Sequence, residues 1–552
     1  MNYYSTRDRE RAHGCSLREA AMMGLAPDGG LFVPERIPQA DMAVAERLAA
    51  ESYPALAGYL AGLFFDGDFD PQAVQRELDG LYDFPVPLRV VGRGRYTLEL
   101  FHGPTCAFKD FGAGFMGRMT GLLGAAEEKL VILTATSGDT GSAVAHGFHN
   151  VPGVEVVVLY PEGKISRLQE CQMTALGGNI HPLRVAGTFD DCQRLVKELF
   201  ADASFRQRRR VTSANSINLL RWIPQAFYYF YGYCQWRQAT GGDRPVVVVP
   251  SGNYGNLAAG MLAQRMGLPV GGFVAASNVN DVVPEFIRTG VYRPRPSVRT
   301  PANAMDVGAP SNFERMLWLC DGDPEMLRAE LEGFRCDDAS IRRTIDELYE
   351  RHGYFSDPHS AVGYAASAAV DKPGFYLSTA HPAKFGEVIE SVTGSLLRSR
   401  GETLATAESC TGGNIAHRFT AMPGASDYFL GGVVAYSNEV KTALLGVDPD
   451  SLNRYGAVSR SIAEQMAEGV RRATGATYGI STTGIAGPTG GTPGKPVGTV
   501  WMAVATPEGV HSRCMVFGSV RAQNIERSSS NCINLLRLQL LGFGEPPLSD
   551  NI

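Results

Sequence analysis

Pro245-Val246-Val247-Val248-Val249-Pro250 is apolar throughout and runs straight into Ser251-Gly252-Asn253-Tyr254-Gly255-Asn256. So short an apolar run is buried on both faces, as in a parallel sheet. The Gly-rich turn after it leads into a predicted helix over 257–266. The order recurs. Strand 131–134 enters Ala135-Thr136-Ser137-Gly138-Asp139-Thr140-Gly141 and a helix over 142–148. Strand 155–160 precedes a helix over 166–176, and a further strand covers 273–276. This repetition predicts an α/β layered fold with mostly parallel sheets. At 552 residues the chain is too long for one core, so two to four domains are expected.

In such folds ligands bind beyond the carboxyl ends of the strands, where turns enter helices. A helix N-terminus offers unpaired N–H groups and a positive dipole end, so it attracts anions. In Ser251–Asn256 the glycines let the backbone close on a phosphate, and the asparagines tolerate left-handed conformations. The competing reading is a purely structural turn. Upstream, Phe101-His102-Gly103-Pro104-Thr105-Cys106-Ala107-Phe108-Lys109-Asp110-Phe111-Gly112 places Lys109 between two phenylalanines before a Gly-rich helix start. Desolvation there favours a neutral amine able to condense with an aldehyde. A lysine snorkelling over an apolar patch fits the same residues.

The Lys109 string resembles the pyridoxal-phosphate attachment site of the threonine synthase family. Tyr4-Ser5-Thr6-Arg7 and Ala26-Pro27-Asp28-Gly29-Gly30-Leu31-Phe32-Val33-Pro34 resemble that family's start. Asn215-Ser216-Ile217-Asn218 and Thr379-Ala380-His381-Pro382-Ala383-Lys384-Phe385 are similar to two of its motifs. The resemblance implies a fold type II enzyme with pyridoxal 5'-phosphate on Lys109 and its phosphate in the loop of Gly252, Asn253, Tyr254, Gly255 and Asn256. Thr379 would face the ring nitrogen. Ser137, Asp139 and Thr140 would hold the substrate carboxylate, and Asn215, Asn218 and Arg221 the substrate phosphate. The implied reaction converts O-phosphohomoserine and water to threonine and phosphate. A phospho-lyase giving a 2-keto acid is the alternative. His381, with no H-E-x-x-H or other metal spacing beside it, is expected to be structural.

The last part of the chain follows a different pattern. Predicted helix 387–400, with Val388, Ile389, Val392, Leu396 and Leu397 on its apolar face, leads to strand 403–407. Glu408-Ser409-Cys410-Thr411-Gly412-Gly413 then turns into a helix over 414–419. Ser409 is placed as an exposed nucleophile and requires a base. A plain N-cap serine is the ordinary alternative. With Gly432 to Lys441, Gly484-Ile485-Ala486-Gly487-Pro488 and Lys495 to Trp501, this stretch resembles the C-terminal domain of the CinA family. That resemblance implies an amidohydrolase acting on nicotinamide mononucleotide. Its base would be Lys441, with Tyr436 relaying or orienting and backbone N–H groups of 409–413 holding the oxyanion. A non-catalytic oligomerisation module is the alternative, and a homo-oligomer through this domain is expected. Cys410 is a weaker rival nucleophile. Thr489–Pro496 is no P-loop, because Pro496 stands where Ser or Thr is required.

The expected layout is therefore a mostly helical cap over 1–100, a pyridoxal-phosphate region over 101–390 and an amidohydrolase domain over 391–552. Net charge −6 and pI about 6.0 give no global attraction to nucleic acid or anionic membrane. The basic run Arg206-Gln207-Arg208-Arg209-Arg210 reads as solvated surface. None of the ten cysteines forms a C-x-x-C pair, which suits reduced thiols in the cytoplasm. The N-terminus is too polar for a signal peptide, and no apolar run approaches the roughly 20 residues that span a bilayer.

Overall fold

The computed structural model describes residues 1–92, 94–124, 129–518 and 520–540. The end of the expected last domain, 541–552, and the side chains of Val388, Ile389 and Val392 lie outside the described residues. The chain divides into two units, Met1–Ile165 with Gln172–His381, and Pro382–Ile552 with Ser166–Cys171.

The first unit holds two main sheets. One has six strands in the order Leu331–Arg335, Gly272–Ser277, Val246–Pro250, Gly374–Ser378, Arg95–Glu99, Leu88–Val90. All its pairs are parallel except the last. The second sheet has four parallel strands in the order Ile180–Val185, Val154–Pro161, Leu130–Ala135, Arg210–Thr212. The all-valine run is thus the third strand of its sheet, buried as its composition requires.

Two expectations change here. The first hundred residues are not only a helical cap, because Leu88–Val90 and Arg95–Glu99 belong to the six-stranded sheet. Four helices precede these strands. The first, Leu17–Met23, is started by Ser16 in a capping box with Glu19, as its sequence predicts. Helix starts also move toward the turns: Asp139–Phe148 and Gly255–Arg265 begin earlier than their apolar patterns suggest. A large aromatic core lies between the layers. Helix Gln225–Thr240 buries Phe227, Tyr228, Tyr229, Phe230 and Tyr233 in it. A separate small core under the four-stranded sheet joins Leu133, Ala135 and Leu159 to Cys192 and Val196.

The second unit begins with helix Gly386–Arg400. Its five-stranded sheet runs Phe429–Val434, Leu404–Glu408, Tyr478–Gly484, Thr499–Ala505, Val510–Val516. The first two pairs are parallel and the last two antiparallel. Helix Arg460–Thr474 covers one face with Ile462, Met466 and Val470. None of the ten cysteines forms a disulfide.

Candidate functional sites

Lys109 opens helix Lys109–Leu122, and Asp139 opens helix Asp139–Phe148. These helices cross at near-contact distance because they meet through glycine. A Cβ on Gly117 would lie 1.9 Å from the Gly147 carbonyl oxygen, and one on Gly147 2.6 Å from that of Ala113. The crossing brings the two N-termini together. Lys109 Nζ lies 3.7 Å from Asp139 Oδ2 and 5.0 Å from the Phe108 ring centre. The lysine is therefore mostly buried, yet its shell contains a carboxylate and is not purely apolar. The turn before it is pinned: the Phe108 N–H donates to the Thr379 carbonyl at 2.9 Å, and that of Thr105 to Asp110 Oδ2 at 2.9 Å. His381 has a structural place, with its N–H on the Cys106 carbonyl and its ring edge-on to Phe101.

A cleft of about 680 Å³ spreads from this point. Its wall contains Lys109, Ser137, Asp139, Thr140, Asn215, Arg221, Gly252–Asn256 and Thr379. The helices starting at Lys109, Asp139 and Gly255 lack a side-chain cap, whereas Ser16, Asp41, Asp70, Thr188 and Asp357 cap helices elsewhere. Thr136 Oγ1 takes the Gly138 and Gly141 N–H groups and Asn256 Oδ1 that of Leu257, so these N-termini are partly occupied and it is their remaining N–H groups that suit an anion. Tyr254 adopts a left-handed conformation with φ 58°, and its hydroxyl meets that of Ser277. A Cβ on Gly252 would come within 2.7 Å of the Ala304 carbonyl oxygen, so only glycine admits the 303–305 segment. Asn253 joins the hydroxyls of Ser216 and Ser311, and Asn256 Oδ1 accepts from Ser251 Oγ.

This cleft suits pyridoxal phosphate: an amine beside open N-termini, Thr379 on the wall, and buried Asn303 Oδ1 with no partner among the described residues. One expected ligand is misplaced. Asn218 is fully buried as a helix cap, accepting from the Leu220 N–H and donating to the Ala21 and Ser213 carbonyls, and is not on the cleft wall. Arg221 is on the wall but is no surface residue. It is buried, with one guanidinium N–H on the Ala214 carbonyl, and burial lowers its pKa against the opposing charge of Asp110.

Residues not recognised from sequence organise the wall. The His359 Nδ1–H donates to Asp357 Oδ1 at 2.8 Å, and Nε2 accepts the Ala304 N–H at 3.1 Å, a tautomer assigned from these partners. Asp357 two residues before His359 was visible in the sequence, but its distant partner was not. Buried Arg315 donates to the carbonyls of Ser216, Ile217 and Phe32 and lies over the Trp222 ring. Asp306 accepts from Asn278, Asn280 and Thr300, while burial pushes its carboxyl up to about 6.

In the second unit Ser409 follows strand Leu404–Glu408, as its sequence predicts. Lys441 Nζ lies 3.2 Å from Ser409 Oγ, 2.8 Å from the Ala435 carbonyl oxygen and 3.3 Å from that of Tyr436. Burial lowers the pKa of this lysine, although Cys410 and Glu439 oppose it. Tyr436 orients Lys441 through its carbonyl, not its hydroxyl. That hydroxyl is turned to Arg521, which donates to it at 3.1 Å. Burial pushes Cys410 up to about 12, so it is no thiolate at neutral pH.

Glu408 was passed over in the sequence. Its buried carboxylate accepts from Thr411 Oγ1 at 2.7 Å and from the N–H groups of Gly413, Ile415 and Ala416 at 3.1, 3.0 and 2.8 Å. The Gly412 and Asn414 amides bond to the Ser409 and Thr411 carbonyls. The expected oxyanion donors therefore reduce to the amides of Cys410 and Thr411. Among the described residues, no group of potential metal ligands occurs and no helix is long and apolar enough to cross a membrane.

Three families match in series: threonine synthase N terminus over residues 2–82, pyridoxal-phosphate dependent enzyme over 96–375 and CinA C-terminal domain over 386–540. Threonine synthase from Escherichia coli strain K12 is 41% identical over 72% of this chain and 92% of its own length. The crystal structure of pyridoxal-phosphate-bound threonine synthase from Brucella melitensis is 34% identical. It covers 71% of this chain and 91% of that one at a TM-score of 0.66. The competence/damage inducible protein CihA from Agrobacterium tumefaciens is 36% identical over 28% of this chain and 94% of that one, with a TM-score of 0.28. The chain therefore belongs to the threonine synthase family of pyridoxal-phosphate dependent enzymes and carries a CinA C-terminal domain behind it.

Proposed function

We propose that the chain is a bifunctional cytoplasmic enzyme whose first unit converts O-phosphohomoserine and water to threonine and phosphate. The convergence of Lys109 with three uncapped helix N-termini carries this reading. Pyridoxal phosphate, when bound, supplies the electron sink for loss of the α proton. Gly252–Asn256 would hold its phosphate, Thr379 its ring nitrogen and Lys109 its aldehyde carbon. A hydroxyl partner leaves the ring nitrogen unprotonated, unlike a carboxylate. Ser137, Asp139 and Thr140 line the place for the substrate carboxylate, and Asn215 and Arg221 for its phosphate. Lys109 Nζ moves protons at the α, β and γ carbons. Phosphate leaves from the γ carbon, and a hydroxyl derived from water ends on the β carbon. Product analysis tests this: threonine with equimolar phosphate supports it, and a 2-keto acid assigns the unit to the phospho-lyases.

The second unit is assigned hydrolysis of nicotinamide mononucleotide to nicotinate mononucleotide and ammonia. The 3.2 Å approach of Lys441 to Ser409 supports this assignment. A neutral amine has two N–H groups and one lone pair. Donation to the Ala435 and Tyr436 carbonyls leaves the lone pair for the Ser409 hydroxyl proton. Ser409 Oγ then attacks the amide carbon, ammonia departs, and water releases the carboxylate. If ammonia release by the wild type equals that of Ser409→Ala, the unit is a non-catalytic module. An assembly through this unit is part of the proposal, and a monomer mass in light scattering would refute it.

A further inference from the structure

We infer that Lys197, presented with Gln193 by helix Phe189–Ala201, is a specificity-determining contact for the dianionic phosphate monoester of the substrate. This rests on the phosphate-ester substrate proposed above. The helix begins at Thr188 and packs Cys192 and Val196 into the small core beneath the four-stranded sheet. Phe189, Gln193 and Lys197 recur every fourth residue, which places them on one stripe. All three belong to the cleft wall.

The charges of that wall single out Lys197. Arg7 is held by Glu314, Lys109 by Asp139, and Arg295 by Asp281 and Glu285. Arg221 already has one N–H on the Ala214 carbonyl. Lys197 is exposed and forms no ion pair among the described residues. A cleft that receives both an anionic cofactor and a doubly anionic substrate needs more than its open helix ends. Lys197 supplies an uncommitted ammonium, and Gln193 a neutral donor one turn away. A long, flexible lysine suits a group that must later leave, because it binds phosphate as a point charge.

The test measures inorganic phosphate binding to the pyridoxal-phosphate-loaded full chain by calorimetry, with KM and kcat for O-phosphohomoserine alongside. Lys197→Met keeps the length and removes the charge. It is expected to weaken phosphate binding about 10–100-fold and raise KM by the same factor, with kcat within about threefold. Lys197→Arg is expected to restore most of the loss. Equal phosphate affinity in wild type and Lys197→Met overturns the inference, even if threonine is formed. Lys197-dependent phosphate binding with a keto-acid product leaves the contact standing and overturns the synthase reading instead.

Discussion

The two units treat the same local pattern, a strand running through a Gly-rich turn into a helix, in opposite ways. At Gly252–Asn256 and Ser137–Thr140 the helix starts lack side-chain caps and face a cleft. At Ser409–Gly413 the helix start is filled from beneath by Glu408, which takes three backbone N–H groups and one hydroxyl. In the first arrangement the hydroxyl of Thr136 and the amide oxygen of Asn256, not a carboxylate, take some of the first-turn N–H groups, and the proposed anions would meet the others. The second spends its N–H groups on rigidity and leaves one hydroxyl projecting. The lysines differ in parallel. Lys109 meets a carboxylate and an aromatic ring, whereas Lys441 meets two carbonyls and a serine. A similar turn thus serves as a cradle for anions or as a mount for a nucleophile, according to what the preceding strand ends with.

The largest effect should come from Lys109→Ala, which abolishes the visible absorption band of the bound cofactor and lowers threonine formation by about 10⁴-fold or more. A retained band would break the contrast between the two lysines. Next, Gly252→Ala pushes a methyl group against the 303–305 segment and should weaken cofactor binding about 10–100-fold, read by titration of the stripped enzyme. Unchanged affinity would mean that the open helix end is not the cradle.

The third effect is on pH. Because burial lowers the Lys441 pKa, the neutral base accumulates as pH rises. Ammonia release should climb about tenfold per pH unit and level off below the ordinary lysine value. Folding follows the same sign: burial disfavours the charged form, so the penalty on the folded state is full below the lowered pKa and fades as pH rises toward the unfolded value. A flat profile would remove Lys441 as the base. The smallest effect is that of Glu408→Gln, whose amide sets a donor against a backbone N–H. It should destabilise the second unit by about 1–3 kcal/mol in thermal unfolding and leave threonine formation unchanged.

Much of this was legible in sequence. The valine strand, the glycine turns and the strings around Lys109 and Ser409 lie within short windows, and each has a local physical cause. The Ser409–Lys441 pair was legible only through its motifs, because a fold brings together residues that are far apart in sequence. What failed was the choice between uses of one residue type. Asn218 caps a helix instead of facing the cleft, because the short helix it starts points into the core. Of the two roles expected for Tyr436, orienting Lys441 is met by its backbone carbonyl, while its hydroxyl accepts from Arg521 and relays nothing to Lys441. Glu408, His359 and Arg315 went unread as functional residues because each bonds backbone groups, which carry no sequence signal, alongside its side-chain partners.

The central claim is the proposed assignment of a separate chemistry to each unit, and ammonia release from nicotinamide mononucleotide by the Lys109→Ala chain tests it most directly. The account predicts the wild-type rate from a protein that binds no pyridoxal phosphate on lysine and makes no threonine. Ammonia release that disappears with Lys109, or that is absent from wild type and variant alike, would contradict it.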